Sequence, residues 1–234
     1  LRFTSIQPKV KAVPLAKVDR AAALKRLAAA IRIRSISHPD YAKMDKAPFV
    51  TLRDQLAKDF PKTHAALKRE VINGYSLLYT WTGSEPQLPP LLMMAHLDVV
   101  PVEQSTRHRW SVDPWSGVVK DGYLWGRGTM DVKGQALAML EGVEYLLGQG
   151  FKPRRTVIIA FGHDEEVGGA QGAQHIVKVL KQRGVKPLMV LDEGLVITQG
   201  IIPGVKPPVA VVGIAEKGYV TLELTVKGKG GHSS

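Results

Sequence analysis

The sequence predicts an α/β fold in which a mixed, mostly parallel sheet is flanked by helices. Short, fully apolar runs alternate with helix-forming segments along most of the chain, as in sheets covered by helices on both faces. Clusters of Gly and Pro separate these segments and mark turns. With 234 residues, of which 44% are hydrophobic, the chain is long enough to bury a sizeable core.

Helices are predicted to precede the first strands. The expected elements of this half are an extended arm over 1–18, helices over 21–31, about 50–60 and 63–70, and strands over 75–82 and 91–95. Asp19 is expected to cap the first helix, which is rich in strong helix formers. Pro61 is expected to end the second helix.

Strands and helices alternate in the second half. The expected elements are a hairpin over 118–125, a helix over about 133–147, a strand over 156–161, a helix over 170–182, and strands over 188–191, 209–214 and 219–226. The dipeptide Asp121–Gly122 is typical of a tight hairpin turn. The last strand alternates apolar residues with Thr and Glu, which indicates that one face is buried.

Composition excludes several classes of protein. The chain has no cysteine, which rules out thiolate zinc sites, disulfide scaffolds and cysteine nucleophiles. No apolar run is long enough to span a membrane. The net charge of +11 is spread over helices and loops without a recognised nucleic-acid motif, so we expect a solvated surface and no nucleic-acid partner.

Acidic and imidazole side chains follow the predicted strands and Gly-rich turns at several points. They are His96, Asp98, Asp131, Glu165, Glu166 and Asp192. Because the carboxyl ends of parallel strands meet at one edge of a sheet, we expect these side chains to converge there. Charged groups gathered in this way are costly unless a cation compensates them. The pattern therefore indicates a site for two metal ions, an arrangement that suits hydrolysis of an acyl group.

Each of these residues has an ordinary structural interpretation when it is taken alone. A lone His96 is typical of a hydrogen-bonded core histidine, and a lone Asp131 is typical of a helix N-cap. The pair Glu165–Glu166 suits a solvated loop, and Asp192 suits a turn. Their conjunction after separate strands and turns favours the metal site.

The spacing within two of the motifs suggests a division of labour. In His96–Leu97–Asp98, the pleat of a strand directs the first and third side chains to the same side, so Asp98 can accept the second imidazole N–H. Glu165 and Glu166 are adjacent and diverge, which suits one carboxylate that binds metal and one that transfers a proton.

These residues lie in segments that resemble the dinuclear zinc exopeptidase and amidohydrolase family. That family includes glutamate carboxypeptidase, aminoacylase, acetylornithine deacetylase, succinyl-diaminopimelate desuccinylase and carnosinase. The matching segments are M-M-A-H-L-D-V-V-P-V, W-S-V-D-P-W-S-G-V-V-K-D-G-Y-L-W-G-R-G-T-M-D-V-K-G, F-G-H-D-E-E-V-G-G, L-D-E-G and K-G-K-G-G-H-S-S. The resemblance is strongest to the branch that contains yeast-type Gly-Xaa carboxypeptidases and secreted enzymes acting on N-fatty-acyl amino acids.

The resemblance implies a hydrolase with two zinc ions, for which cobalt or manganese can substitute. The implied metal ligands are His96, the bridging Asp131, Glu166 and Asp192. The implied catalytic residues are Asp98, which orients His96, Glu165 as general base and acid, and His232, which helps to polarise the scissile carbonyl. Val132 stands where many relatives carry a second Asp, and we expect this change to be tolerated.

The resemblance also implies a domain organisation. We expect an N-terminal arm over 1–18, a zinc-dependent catalytic domain without its C-terminal part over 19–212, and the start of a smaller α+β lid and dimerisation domain over 213–234. In this family the final metal-binding histidine lies downstream of the lid. We therefore expect the chain to be part of a longer protein.

The expected reaction is hydrolysis of an amide or peptide bond in an N-acyl amino acid or small peptide with a free carboxylate. Two alternatives remain: a non-catalytic binding protein that keeps the fold, and an aminopeptidase built on the related two-zinc core. A homodimer through the lid domain is a further expectation. The family branch and the start at Leu1 favour a secreted or periplasmic protein, and localisation is otherwise open.

Overall fold

The computed structural model describes residues 10, 11, 13–194, 197–215, 218, 220–228, 230 and 231. The chain divides into two compact units, Leu1–Glu193 and Gly194–Ser234. This division falls before the expected boundary at residue 212. The assignment of the two parts to a catalytic domain and a lid stays a prediction.

Five α-helices lie in the described part of the first unit, and three of them begin at a capping side chain or a proline. They are α1 Arg20–Arg32, α2 Ala47–Asp59, α3 Pro61–Ala66, α4 Lys133–Gly148 and α5 Ala173–Gln182. Asp19 caps α1 as expected, since its Oδ1 accepts a hydrogen bond from Ala22 N at 3.1 Å. A proline stands in the first turn of both α2 and α3, where the missing N–H would have no helical partner. Three short 3-10 helices cover Tyr41–Lys43, Gln104–Arg109 and Glu165–Val167.

The described strands of the first unit form a five-stranded sheet and a hairpin. They are β1 Lys68–Ile72, β2 Ser76–Trp81, β3 Leu91–His96, β4 Val118–Lys120, β5 Tyr123–Trp125, β6 Val157–Gly162 and β7 Met189–Leu191. The sheet order is β1-β2-β6-β3-β7, and β4 and β5 form the expected hairpin. Strand β3 runs parallel to β6 and β7, whereas β2 runs antiparallel to β1 and β6. The α/β class and the mixed sheet are confirmed, although only two of these four pairings are parallel.

Helices cover both faces of the sheet. On one face, a large apolar cluster includes Leu52 of α2, Leu77 of β2 and Leu140 of α4. On the other face, Ile176 of α5 packs in a smaller cluster with Ile158 of β6. Burying each such side chain stabilises the fold by about 1.5–3 kcal/mol. This packing fixes the strands whose carboxyl ends carry the acidic and imidazole residues.

One predicted helix of the first unit is wrong over part of its length. The helix expected over 63–70 ends at Ala66, and Lys68–Ile72 forms β1 instead. The register Lys68↔Thr80 shows that β1 pairs with β2 along its whole length. Because sheet pairing supplies every second backbone group with a partner, it overrides the weak helix preference of Lys, Arg and Glu.

The second unit contains less regular structure than the sequence predicts. Among its described residues, Ile197–Thr198 (β8) and Val209–Ala210 (β9) form an antiparallel pair. Only the first two residues of the strand expected over 209–214 belong to β9. Another strand is expected over 219–226. Residues 220–226 carry no strand assignment, and Tyr219 lies outside the described residues. A strand needs a neighbour for its backbone donors and acceptors, and alternation of apolar residues does not supply one.

No helix in the described part of the chain is both long and apolar enough to cross a membrane.

Candidate metal centre

The centre of the site is His96, the last residue of β3. Parallel pairing with β6 places His96 beside Gly162, and Leu97 N donates a hydrogen bond to Gly162 O at 2.9 Å. The segments that follow β3 and β6 therefore leave the sheet at the same edge, as expected for parallel strands. His96 is 1% exposed, so its ring is held in the protein interior.

Three carboxylates face the outer nitrogen of the His96 ring. Its Nε2 lies 3.0 Å from Asp131 Oδ1, 3.2 Å from Glu193 Oε1 and 3.6 Å from Glu165 Oε2. Burial acts to lower the pKa of His96, but hydrogen bonds that the ring donates to Asp98 and the negative charges of Asp98 and Glu193 raise it to about 10. This imidazole is thus surrounded by acids from three separate segments.

Asp98 holds both the ring and the acidic loop. The inner nitrogen of His96, Nδ1, lies 2.9 Å from the Asp98 backbone oxygen and 3.4 Å from its Oδ1. The expected contact between ring and carboxylate is therefore longer than the contact with the main chain. The carboxylate of Asp98 also accepts hydrogen bonds from the backbone N–H groups of Glu165 at 3.0 Å and Glu166 at 3.1 Å.

These bonds give a fully buried carboxylate a set of donors. Burial acts to raise the pKa of Asp98, but the contacts with His96 and the Glu165 amide lower it below its ordinary value. Asp98 consequently stays ionised, and it couples the metal-facing imidazole to the loop that carries the two glutamates.

Glu165 and Glu166 occupy the short 3-10 turn after β6, and they belong to different groups of potential metal ligands. Glu165 belongs to a group with His96 and Glu193, whereas Glu166 belongs to a group with His96 and Asp131. In each group the potential ligand atoms all lie within 4.8 Å of one another. Glu166 Oε1 also accepts a hydrogen bond from Val100 N at 3.3 Å.

The segment after β7 brings a second acid, Glu193, close to the site. Asp192 is exposed, and its Oδ1 accepts a hydrogen bond from Glu193 N at 2.9 Å. Neither group of potential ligands contains Asp192, and the adjacent Glu193 reaches His96 instead. Glu193 directly follows Asp192 in the segment L-D-E-G, and this position beside a predicted ligand is the sequence signal that could have identified it. The role of Asp192 as a ligand stays a prediction, and His232 lies outside the described residues.

Lys133 supports the loop that carries Asp131. The side chain is fully buried, and its Nζ donates hydrogen bonds to Ala30 O at 3.1 Å and Ile33 O at 2.6 Å. These carbonyls lie at the C-terminal end of α1, where each also accepts a backbone hydrogen bond, from Ile33 N at 3.2 Å and from Ser35 N at 3.0 Å respectively. Burial lowers the pKa of Lys133 to about 7. No sequence pattern indicates this role, because a lysine at the start of a helix is usually exposed.

The collected side chains fit a divalent metal ion. Burial raises the pKa values of Glu165, Glu166 and Glu193, and the negative charges of neighbouring carboxylates raise them further. A bound cation would compensate this concentration of acids. One imidazole nitrogen and several carboxylate oxygens are donors that zinc accepts, and that cobalt and manganese accept as well.

Several known proteins are similar to this chain in sequence. Residues 92–230 match peptidase family M20/M25/M40. The chain is 43% identical over 244 residues to a probable carboxypeptidase S-like protein 2 of Dictyostelium discoideum. The alignment covers 100% of this chain and 47% of the relative. It is 42% identical over 222 residues to an N-fatty-acyl-amino acid synthase/hydrolase of Xenopus tropicalis, covering 94% of this chain and 43% of the relative. The chain thus spans a little under half the length of these relatives.

A solved structure supports the fold. Human carnosine dipeptidase 1 superimposes with a TM-score of 0.58 at 20% identity, covering 76% of this chain and 40% of that one. At this level of identity the likeness establishes the fold alone. The mixed sheet and its covering helices are therefore the arrangement found in that structure.

Proposed function

Because the chain belongs to peptidase family M20/M25/M40, we propose that the protein hydrolyses an amide or peptide bond in an N-acyl amino acid or small peptide. The observation that carries the proposal is the set of three carboxylates around His96 Nε2. Acids gathered at this cost in repulsion indicate a bound cation, which is what a metal-dependent hydrolase requires. The resemblance of the sequence to zinc exopeptidases supports the same reaction.

The proposed cofactor is a pair of zinc ions. His96, Asp131 and Glu166 would hold them, with Asp131 as the bridge and one carboxylate from Asp192–Glu193 completing the described set. When bound, zinc polarises the carbonyl of the substrate and makes water more acidic. The ring of His96 is already oriented for this role by its Nδ1 contacts with Asp98.

Glu165 is the proposed general base and acid. Its backbone is fixed by Asp98, while its side chain is 52% exposed and reaches toward the metal-facing nitrogen of His96. It can therefore accept a proton from the attacking water and deliver that proton to the leaving nitrogen. His232 is proposed to help polarise the scissile carbonyl, as the resemblance implies.

The proposed substrate carries a free carboxylate. The names of the two relatives, a carboxypeptidase S-like protein and an N-fatty-acyl-amino acid synthase/hydrolase, support this class. The net charge of +11 would also favour the approach of an anion. The aminopeptidase alternative requires a free amine at the other end of the substrate.

Blocked dipeptides should separate these two readings of the reaction. We expect the full-length protein to hydrolyse a dipeptide whose N-terminus is acylated and whose C-terminus is free. We expect it not to hydrolyse the same dipeptide when the N-terminus is free and the C-terminus is amidated. Release of the amino acid would be followed by amine detection. The opposite preference would establish the aminopeptidase reading.

Metal content should depend on Asp131. We expect about two zinc ions per chain in the full-length protein by plasma mass spectrometry, and substantially fewer in Asp131→Asn, because an amide is a weaker and neutral ligand. Asp121→Asn is the matched control, since Asp121 lies in the exposed hairpin turn. Fewer than one ion per chain in well-folded wild-type protein would favour the binding-protein alternative.

The same measurement can compare the two acids after β7. Asp192 and Glu193 are neighbours in the chain. We expect only one of the substitutions Asp192→Asn and Glu193→Gln to lower zinc content, and that one identifies the metal ligand.

Two further expectations rest on the resemblance alone. We propose a homodimer through the lid domain and a secreted or periplasmic location. Light scattering on the full-length protein and fractionation of the source cells would test them. A monomer at micromolar concentration, or a protein confined to the cytosolic fraction, would contradict the respective expectation.

A further inference from the structure

A buried polar cluster lies on the side of the acidic loop that faces the protein interior. His163, the residue after β6, is fully buried, and its Nδ1 lies 2.6 Å from Ser76 Oγ at the start of β2. Its Nε2 lies 3.3 Å from the hydroxyl of Tyr41. The rings of Phe49 and Tyr75 pack against the imidazole at centroid distances of 6.0 Å and 5.5 Å.

The geometry fixes the imidazole in one orientation. A neutral histidine has one N–H donor and one acceptor nitrogen, and hydroxyl groups can serve either of them. Ser76 and Tyr41 therefore give both ring nitrogens a partner, while the aromatic side chains block rotation of the ring. The direction in which the chain leaves β6 is set at this point.

Asp164 closes the loop immediately after this anchor. Its carboxylate is 2% exposed and accepts hydrogen bonds from the N–H groups of Gln171 at 2.7 Å and Gly172 at 2.8 Å. Its backbone oxygen accepts a further bond from Gly169 N at 2.8 Å. A Cβ at Gly172 would lie 2.5 Å from Asp164 Oδ1, so only glycine permits this approach.

The β1–β2 turn fastens the far end of the loop. Asn73 Nδ2 donates hydrogen bonds to the backbone oxygen of Gln171 at 2.9 Å and to its side-chain Oε1 at 3.1 Å. Both ends of the segment 163–172 are therefore attached to the same hairpin, through Asn73 and Ser76.

We propose that His163, held by Ser76 and Tyr41, is a positioning residue for Glu165 and Glu166. The two glutamates lie between the buried anchor at His163–Asp164 and the carboxylate of Asp98, which binds their amide groups from the opposite side. The backbone of a loop fixed from both sides cannot shift without breaking a buried hydrogen bond, so the Cα positions from which the two glutamate side chains extend are held in place. This inference rests on the proposed function, since it assigns Glu165 to proton transfer and Glu166 to metal binding.

The test uses the full-length protein with Ser76→Ala, His163→Phe and His163→Asn. Ser76→Ala removes the partner of Nδ1, and His163→Phe keeps an aromatic ring without polar atoms. His163→Asn keeps a polar atom near the position of Nδ1 and serves as the conservative rescue. Ser116→Ala is the matched control, because the Ser116 hydroxyl donates a comparable 2.7 Å bond to Asp113 O in an exposed loop.

At saturating zinc, we expect kcat to fall by about 10- to 100-fold in Ser76→Ala and His163→Phe with KM little changed, because a small displacement of the base lowers its effectiveness. The dissociation constant for zinc should rise by about 10-fold, since Glu166 lies on the same loop. His163→Asn should recover part of both losses, and Ser116→Ala should match wild type.

Two other outcomes would overturn the inference. One is a lower melting temperature in Ser76→Ala and His163→Phe with wild-type kcat and zinc affinity, which would mean that the cluster only stabilises the fold. The other is equal loss in His163→Asn and His163→Phe. Failure of the proposed function is a separate result, because it would appear as absence of hydrolysis by the wild-type protein. The zinc affinities of the variants would still show whether His163 positions Glu166.

Discussion

Replacing Glu165 by glutamine is expected to lower kcat by about 10²- to 10⁴-fold, the range typical for loss of a general base. Glutamine has the shape of glutamate but cannot accept a proton at neutral pH. Asp98 binds Glu165 through the backbone N–H, so the substitution leaves that hydrogen bond in place. The metal-facing set of His96, Asp131 and Glu166 is also unaltered. We therefore expect zinc content to remain at the wild-type value while hydrolysis is lost.

The measurement is steady-state hydrolysis of an N-acyl amino acid by full-length protein, with zinc determined on the same samples. Glu103→Gln is the matched control, since Glu103 is an exposed glutamate on the loop after β3. If Glu165→Gln keeps more than a small fraction of activity, the base lies elsewhere. Glu193 would then be the first residue to replace, because it shares a group with His96 and Glu165.

The elements that could be predicted are those in which local sequence and tertiary packing favour the same structure. The helix after Asp19 has both a cap and strong helix formers, and the run Leu91–His96 is too apolar for a surface position. The helix predicted over 63–70 is wrong from Lys68 onward because these helix-forming residues pair with β2, a neighbour that no local pattern reveals. The strand predicted over 219–226 is wrong in the opposite direction, since its alternation of apolar residues predicts a strand, whereas residues 220–226 carry no strand assignment.

The site shows the same distinction. Motifs identified His96, Asp131 and the two glutamates, because acids and imidazoles after strands converge wherever parallel strands end. The choice between Asp192 and Glu193 depends on the backbone direction at the end of β7, which alternation along a short exposed strand does not fix. Lys133 was missed for a different reason. Its burial is possible only because two carbonyls at the end of α1 receive its ammonium group, and these belong to a distant segment.

Asp98 is the residue through which the two halves of the site are connected, so its replacement should affect both. Its Oδ1 accepts the Glu165 amide and faces His96, and its Oδ2 accepts the Glu166 amide. Asparagine has only one carbonyl oxygen. In either orientation, therefore, Asp98→Asn turns an NH₂ group toward a backbone N–H, and it also removes the negative charge beside His96.

We expect Asp98→Asn to lower the free energy of unfolding by about 1–3 kcal/mol, since one buried donor loses its acceptor. Zinc affinity should fall by about 10- to 100-fold, as it does when the partner of a metal-binding histidine is removed. Asp113→Asn is the matched control, because Asp113 also accepts a backbone N–H and a side-chain donor, at 2.8 Å each, but in an exposed loop. Denaturant titration and zinc competition on full-length protein would measure the two effects. Loss of stability with unchanged zinc affinity would show that Asp98 holds the acidic loop without orienting His96, whereas the contacts on both sides of its carboxylate require the two losses to occur together.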